Sequence, residues 1–580
     1  MTERGQIARM VLITVALVAA WIGLGTRLAY LHLGRNDVLR ARIQQIREVE
    51  QPILVGRGRI LDRNGNLLAM DLAVKNVCVD PKKINESGHR QFVGQQLARL
   101  LQVEPAMVLS RVNRTNRRFE YIKKYVKEDT VRELAGLQLS GVFFEDVSQR
   151  NYPQGALMSH IVGFSNMEGV GSAGVEQRLD QYLRGVPGLR VSEVDGRRHE
   201  VFTRRSLDIQ PQQGADVYLT LDQNLQYFVE RALDGAVAKN QAKGAWAVIE
   251  EVRTGRILAM ATRPTYDLND FRNAPDDSRL NRVISYVYEP GSTFKVSTIA
   301  AALNEKLTDP TVVFDCENGA WHHSGRILHD YHPYGRLTVA DVLKKSSNIG
   351  AAKIAMLLGE KRLHSYIKAF GFGSPTGVDL PGEEGGILYP VSKWSNLSIT
   401  RIPMGQGVGV TSMQMVNMMA AIGNNGFLMK PQVVDRVVGT DGKTILKNEP
   451  YVMSRPVSAE TAHLMCKLLR RVTEEGGTGT KAAVDGFSVG GKTGSAQKPV
   501  AGGYSDSAHI ASFMGFLPAE QPEIAIMVVV DEPQPLHTGG QVAAPVFKEI
   551  ADQAVRYLDI PPVPESQAYH FGDQVPTGEM

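Results

Sequence analysis

Cysteine is scarce in this chain. Three residues, Cys78, Cys316 and Cys466, stand far apart and odd in number. That excludes a disulfide framework and a cysteine-based metal cluster. Free thiols of this kind belong in a core or half-buried. An excess of one charge is lacking too. The 65 Lys and Arg nearly balance the 61 Asp and Glu, for a net +4, with no long basic block. The electrostatic footprint of a nucleic-acid binder is therefore missing. No segment repeats at a fixed period, which excludes a solenoid or propeller. What remains is globular in composition, 43% hydrophobic and 22% charged over 580 residues, and long enough for two or more domains.

Long apolar runs are absent except for one. "MVLITVALVAAWIGLGT", Met10 to Thr26, carries no charge, with Arg4 and Arg9 before it and Arg27 after. Its length is at the low edge for a helix across a bilayer. The rival is a cleaved signal peptide with Val18-Ala19-Ala20 at the cleavage site. The run is long for a signal core and continues past that point, so an uncleaved anchor is expected. Arginines do not fix its orientation, because Arg27, Arg35, Arg40 and Arg42 outnumber those before the span. Long following domains translocate largely regardless of charge. With no second spanning run, about 550 residues lie on one side of a membrane.

After the anchor, "LAYLHLGRNDVLRARIQQIREVEQ" reads as a helix leaving the membrane. In "RGRILDRNGNLLAM", Arg57 to Met70, apolar runs flank Arg63-Asn64-Gly65, the signature of a hairpin. Up to about residue 215, short strands, charged helices and Gly-rich turns mix without a catalytic cluster, as in a spacer or partner-binding module. From about 216 the elements sharpen. A strand leads to a helix near Asp222, and two strands flank a turn at Thr254-Gly255. Three further strands, "GFSVGGKTGSA", "HIASFMGFLP" and "EIAIMVVVDEP", lie near the C-terminus. The last residues lack apolar periodicity and read as a tail.

One stretch carries two meanings. "GFSVGGKT", Gly486 to Thr493, fits the phosphate-loop pattern, and "IAIMVVVDE" imitates the strand that holds Mg²⁺ in such proteins. A phosphate loop must open a helix, whose N-terminus receives the phosphates. Here "GSAQKPVAGGYSDS" follows, with Gly494, Pro499, Gly502 and Gly503, and cannot run as a helix. A second strand comes soon after, which implies an antiparallel meander and not a parallel crossover.

The other meaning makes Lys492-Thr493-Gly494 a K-T-G strand. It requires S-x-x-K and S-x-N upstream, and both occur in that order: Ser292 and Lys295 in "EPGSTFK", Ser346 and Asn348 in "KSSNIG". The set is that of penicillin-interacting serine enzymes. Pro290-Gly291 breaks the chain before an Ala-rich helix, so Ser292 is expected at a helix N-terminus, where developing negative charge is favoured. Lys295, three residues on, shares its face. Its amine can take the Ser292 proton if burial and a second cation, Lys492, lower its pKa. Ser346 can relay a proton to a leaving amine, and Asn348 can hold a substrate amide. Along the strand, Lys492 and Gly494 point one way, Thr493 and Ser495 the other. The backbone N–H groups of Ser292 and Ser495 can form an oxyanion hole, a feature often worth about 3–4 kcal/mol. Singly, each residue admits a plainer role: Ser292 as a cap, Lys295 on the surface, Ser346 and Asn348 in a turn. Jointly they need three coincidences.

At this point the chain resembles the class B penicillin-binding proteins, monofunctional transpeptidases of bacterial cell-wall synthesis. The likeness covers nearly its whole length. "RGRILDRNG", "RNYPQGALMSHIVGF" and "GSAGVEQRLD" resemble the family's pedestal blocks. "EPGSTFK", "KSSNIG", "GQGVGVTSMQ", "GGTGTKAAVDGFSVGGKTGSAQ" and "SFMGFLP" resemble its catalytic segments. "GQGVGVT", Gly405 to Thr411, is expected to pack beside the active-site strand.

The resemblance implies an α+β fold: an antiparallel sheet with helices of the penicillin-binding/β-lactamase type, an elongated mixed pedestal, and one transmembrane helix. The implied division is a short cytoplasmic N-terminus (1–9), an anchor (10–27), a pedestal of the dimerisation type (28–215), a transpeptidase domain (216–560) and a flexible tail (561–580). It implies an acyl-enzyme at Ser292 on a stem peptide ending in D-Ala-D-Ala, resolved by an amine, and acylation by β-lactams. Thr493, Gly494 and Ser495 would form the substrate-binding strand, with the two hydroxyls on the terminal carboxylate. Many relatives carry K-T-G-T where this chain has Ser495, which keeps the hydroxyl.

The "SSN" and "GGTGTKA" segments are similar to the cell-division (FtsI) branch, an elongation enzyme being the alternative. That likeness implies divisome proteins and a SEDS glycosyltransferase of the FtsW type as partners, and the periplasmic side of the cytoplasmic membrane as the location. A β-lactamase-like hydrolase or a β-lactam sensor are further alternatives. A pedestal is superfluous for the first, and the second usually has several spans. No cofactor is implied. His322, His323, His329 and His332 crowd one segment around Asp330. No Cys joins them and none are paired at i,i+4, so they read as surface and no metal is expected.

Overall fold

A computed structural model describes residues 3–34, 48–53, 55–194, 200–500 and 503–562. They form two compact units. The first comprises Met1–Gly56 and Gly185–Gln213. Its N-terminal helix, Glu3–Ala29, ends in a π-turn at Tyr30–Gly34. The helix extends past the apolar run on both sides, and by length and composition it can cross a membrane. Of the helix expected to leave the membrane, residues 35–47 lie outside the described residues, and its end is a strand. Glu48–Ile53 pairs antiparallel with Gly188–Val194, which pairs with Glu200–Ile209. The tail from 563 onward also lies outside the described residues.

The second unit comprises Arg57–Arg184 and Gly214–Met580. Its centre is a five-stranded sheet, numbered here β1 (Gly244–Glu251), β2 (Ile257–Arg263), β3 (Gly490–Val500), β4 (Gly503–Leu517) and β5 (Ile524–Asp531). The spatial order is β2-β1-β5-β4-β3, antiparallel throughout. The unbroken apolar run of β5 is explained by cover on both faces. Ala525, Met527 and Val529 join the core under helix Ser412–Gly423. Ile526, Val528 and Val530 join the core under helices Gln223–Asn240 and Gly539–Tyr557. The strand carrying Lys492 pairs with β4 and ends in a hairpin with Val500 opposite Gly503. No helix opens at Lys492-Thr493, so the phosphate-loop match is accidental.

The expected hairpin after Arg57 is present: Ile60–Leu61 pairs antiparallel with Leu67–Val79. Asp62 holds its turn by accepting the backbone N–H groups of Asn64 and Asn66, both at 2.8 Å. Asn64 in turn reaches Asp222, the N-cap of helix Gln223–Asn240, at 2.8 Å. Ile60–Leu61 also pairs in parallel with Asp216–Leu219. One sheet therefore runs from the amino-terminal half into the carboxy-terminal half. The signature-like blocks meet in a buried ion network. Glu176, fully enclosed, accepts from Arg57 Nε and Arg150 Nε, each at 2.6 Å. Arg57 also pairs with Asp180 and Arg150 with Asp71. Residues 57, 150 and 176 come from three separate blocks, so each block is needed to neutralise the others. All three cysteines are buried and free.

Candidate active site

The segment expected to begin as a helix at Ser292 begins as a 3-10 turn, Gly291–Phe294. The α-helix, α1, runs Lys295–Asn304. Gly291 sits at φ +59, and a Cβ there would lie 3.2 Å from Ala496 Cβ and 3.3 Å from the Ser495 carbonyl oxygen. The turn is tight because β3 presses on it. Gly494 permits that approach, since a Cβ on it would stand 2.3 Å from Ser512 Oγ and 3.0 Å from Thr293 Cγ2.

Lys295 is not on the surface but wholly buried. Its Nζ lies 3.0 Å from Ser292 Oγ, 2.6 Å from the Ser346 carbonyl, 3.2 Å from Ser346 Oγ and 2.8 Å from Asn348 Oδ1. Burial favours the neutral amine, whose two protons can serve the Ser346 carbonyl and Asn348 Oδ1 while its lone pair faces the Ser292 hydroxyl. Ser346 adopts a left-handed conformation, φ +62, at the end of helix Val339–Lys345. That costs a non-glycine residue on the order of 1 kcal/mol and leaves its carbonyl in contact with Lys295. Lys492 Nζ donates to Ser346 Oγ at 2.9 Å, so one hydroxyl bridges two buried amines.

Burial lowers the Lys295 pKa to about 7, while the Asp330 carboxylate pulls it back up. Burial lowers Lys492 well below the ordinary lysine value, and the Lys295 charge adds to that. Burial is the main cause for both lysines, and each charge, bridged by the Ser346 hydroxyl, works against the other.

Side chains alternate along β3 as expected. Lys492 and Gly494 face Ser346 and Thr293. Thr493 Oγ1 lies 2.9 Å from Thr478 Oγ1, and Ser495 Oγ accepts the Gly539 N–H at 3.0 Å. Ser495 is exposed, so its hydroxyl proton is available to a ligand. Asn348 begins helix α2, Asn348–Leu358, and its Nδ2 donates to the His329 carbonyl at 2.8 Å. Ser292, Lys295, Ser346, Asn348 and Lys492 are thus joined by hydrogen bonds, with Gly494 against the nucleophile's turn and Thr493 and Ser495 beside them on β3.

Sequence reasoning missed three neighbours. Asp330, grouped with surface histidines, is partly buried and pins the S-x-N turn. It accepts the N–H groups of Asn348 and Ile349 and the Ser347 hydroxyl, the last at 2.6 Å. Thr478 orients Thr493. Glu289 accepts the Gly407 N–H at 2.8 Å. The "GQGVGVT" segment packs on the chain leading into Ser292: Val410 bridges Tyr288, and the Gly291 N–H donates to Gly405 O at 3.3 Å. His322, His329 and His332 are exposed on or beside the hairpin Ala320–His329. Among the described residues no cluster of His, Cys, Asp or Glu is placed to hold a metal ion.

Comparison with known proteins agrees with this geometry. Residues 245–552 match the penicillin binding protein transpeptidase domain, and residues 52–219 the penicillin-binding protein dimerisation domain. The chain is 32% identical to the probable peptidoglycan D,D-transpeptidase PenA of Neisseria meningitidis, over 97% of this chain and 94% of the relative. It is 32% identical to the peptidoglycan D,D-transpeptidase FtsI of Escherichia coli, over 91% and 87%. Penicillin binding protein 3 from Mycobacterium tuberculosis, solved in complex with aztreonam, superposes with a TM-score of 0.69 at 28% identity. That match covers 89% of this chain and 98% of the other. With a paired dimerisation and transpeptidase domain, the chain belongs to the class B penicillin-binding proteins.

Proposed function

We propose that this protein is a peptidoglycan D,D-transpeptidase acting through an acyl-enzyme on Ser292. The observation that carries the proposal is the buried Lys295 amine, 3.0 Å from Ser292 Oγ and near-neutral in pKa. Such an amine takes the hydroxyl proton as Oγ attacks the carbonyl of the penultimate D-Ala. The backbone N–H groups of Ser292 and Ser495 would receive the oxyanion. Ser346, between the two lysines, passes a proton to the departing D-Ala amine. Lys492 holds that hydroxyl, Asn348 the substrate amide, and Thr493, Gly494 and Ser495 the carboxylate end. An amine from a second stem peptide then attacks the ester, and Ser292 regains its proton. β-Lactams acylate the same oxygen: the lactam C–N bond breaks, the ester forms, and the nitrogen takes the proton.

Residues 216–560 form the transpeptidase domain and 28–215 the pedestal, with residues 10–27 anchoring both to the outer face of the cytoplasmic membrane. Relatives named for FtsI favour a role in division, with divisome proteins and an FtsW-type SEDS glycosyltransferase as partners along the helix and pedestal. The test gives the full chain, in detergent, a donor ending in D-Ala-D-Ala and a labelled acceptor amine. Incorporation of the amine with release of D-Ala, lost in Ser292→Ala, is expected. Release without incorporation would mean a hydrolase, and an unreactive protein that only retains penicillin would mean a sensor.

A further inference from the structure

A cleft of about 130 Å³ adjoins the nucleophile's turn. Tyr389, Lys393, Trp394, Ser398, Arg401 and Gln406 are on its wall. It is tied to the catalytic elements on two sides. Gly407, also at its edge, donates to Glu289, three positions before Ser292 in the chain. The short helix Ser398–Arg401 packs on α2, which begins at Asn348.

Arg401 is partly buried, and its guanidinium makes one long hydrogen bond, 3.5 Å to the Ile327 carbonyl. Lys393 rests over the Tyr389 ring at 6.0 Å. Among the described residues neither meets a carboxylate. The more deeply enclosed arginines differ: Arg57, Arg150 and Arg263 each hold two carboxylates and Arg282 holds one. Burial works against the Arg401 cation, and so does the Arg326 charge. A partly desolvated guanidinium without an anion is held at a cost, and its planar fork matches a carboxylate.

The geometry points to an anion subsite of the same active site. Arg401, assisted by Lys393, receives a carboxylate carried by the donor peptide upstream of its scissile D-Ala-D-Ala end. The aromatic wall of Tyr389 and Trp394 flanks the methylenes of that acidic residue. The inference rests on the serine-site reading above and adds a specificity: the donor is recognised as an acidic peptide, by a charge beyond its terminal carboxylate.

The test uses the full chain in detergent and two synthetic donors ending in a D-Ala thioester. They are identical except that the upstream residue bears a free carboxylate in one and its carboxamide in the other. The wild type is expected to favour the acid donor about tenfold in kcat/KM, equivalent to about 1.4 kcal/mol. Arg401→Gln should bring the ratio towards one, and Lys393→Gln, altering an exposed residue, should reduce it part of the way even if Arg401→Gln does not fold. Benzylpenicillin, which has no upstream peptide, reports a folded, reactive serine in each variant. A wild-type ratio of one overturns the inference, as does a ratio unmoved in a penicillin-reactive variant. A wild type that reacts with neither donor nor with benzylpenicillin overturns the serine-site reading itself.

Discussion

The acylation rate should titrate with Lys295. Its amine is displaced from the ordinary 10.5 to about 7, equivalent to about 5 kcal/mol against the charged form at 1.36 kcal/mol per unit. A lysine is the base only when neutral, and it is neutral above its pKa. Raising the pH from about 6 to about 8 therefore takes the neutral fraction from roughly one-tenth to nine-tenths, and the second-order rate of acylation by a fluorescent penicillin should rise about tenfold. Asp330 is the group that pulls this pKa upward. Asp330→Asn should move the midpoint to lower pH while lowering the plateau rate, because the S-x-N turn loses a carboxylate that fixes Ser347, Asn348 and Ile349. The assay is the pH dependence of acylation in both proteins. A flat wild-type profile, or a midpoint that moves upward in Asp330→Asn, would refute the reasoning.

Other perturbations have equally definite outcomes. Gly494→Ala places a Cβ against Ser512, Thr293 and the Pro290 carbonyl. It should push β3 off the nucleophile's turn and slow penicillin acylation on the order of 100-fold, as expected for a displacement near 1 Å; an unchanged rate would contradict the packing argument. Glu176→Gln leaves Arg57 and Arg150 short of a buried charge and should cost about 3–5 kcal/mol. That is a lower melting temperature without loss of acylation in the protein still folded, and unchanged melting would contradict it. Glu250 is fully enclosed, has no hydrogen-bond partner among the described residues, and burial pushes its pKa from 4.5 up to about 8. A raised carboxyl pKa means stability is fully present below about 4.5 and is lost as pH climbs through about 8, by at most about 5 kcal/mol. Glu250→Leu should therefore gain more in melting temperature at pH 9 than at pH 5. Equal gains at both would argue against a protonated buried acid.

Much of the site was legible because its chemistry is local. S-x-x-K is one turn of helix, and the K-T-G faces follow from the two-residue period of a strand. The meander was legible from glycines and a proline that forbid a helix after Lys492. What escaped depends on contacts between distant segments. Nothing near Asp330 in the chain says that it accepts from Asn348 and Ile349, so it was grouped with the histidines around it. The 3-10 turn at Gly291 arises from the pressure of β3, a strand some two hundred positions later. The weak local signal of Glu48–Ile53, charged and carrying a proline, resembles a helix end until Gly188–Val194 is there to pair with it. The complete burial of both lysines, which lowers their pKa values, is something no spacing reports.

The central claim is that Ser292 is the acylated nucleophile. The most direct measurement is the intact mass of the full chain, in detergent, before and after benzylpenicillin, followed over hours and mapped by peptide fragmentation. The account predicts one added drug mass, persistent, on the peptide containing Ser292, and absent in Ser292→Ala. An adduct elsewhere, or one that survives Ser292→Ala, would contradict it.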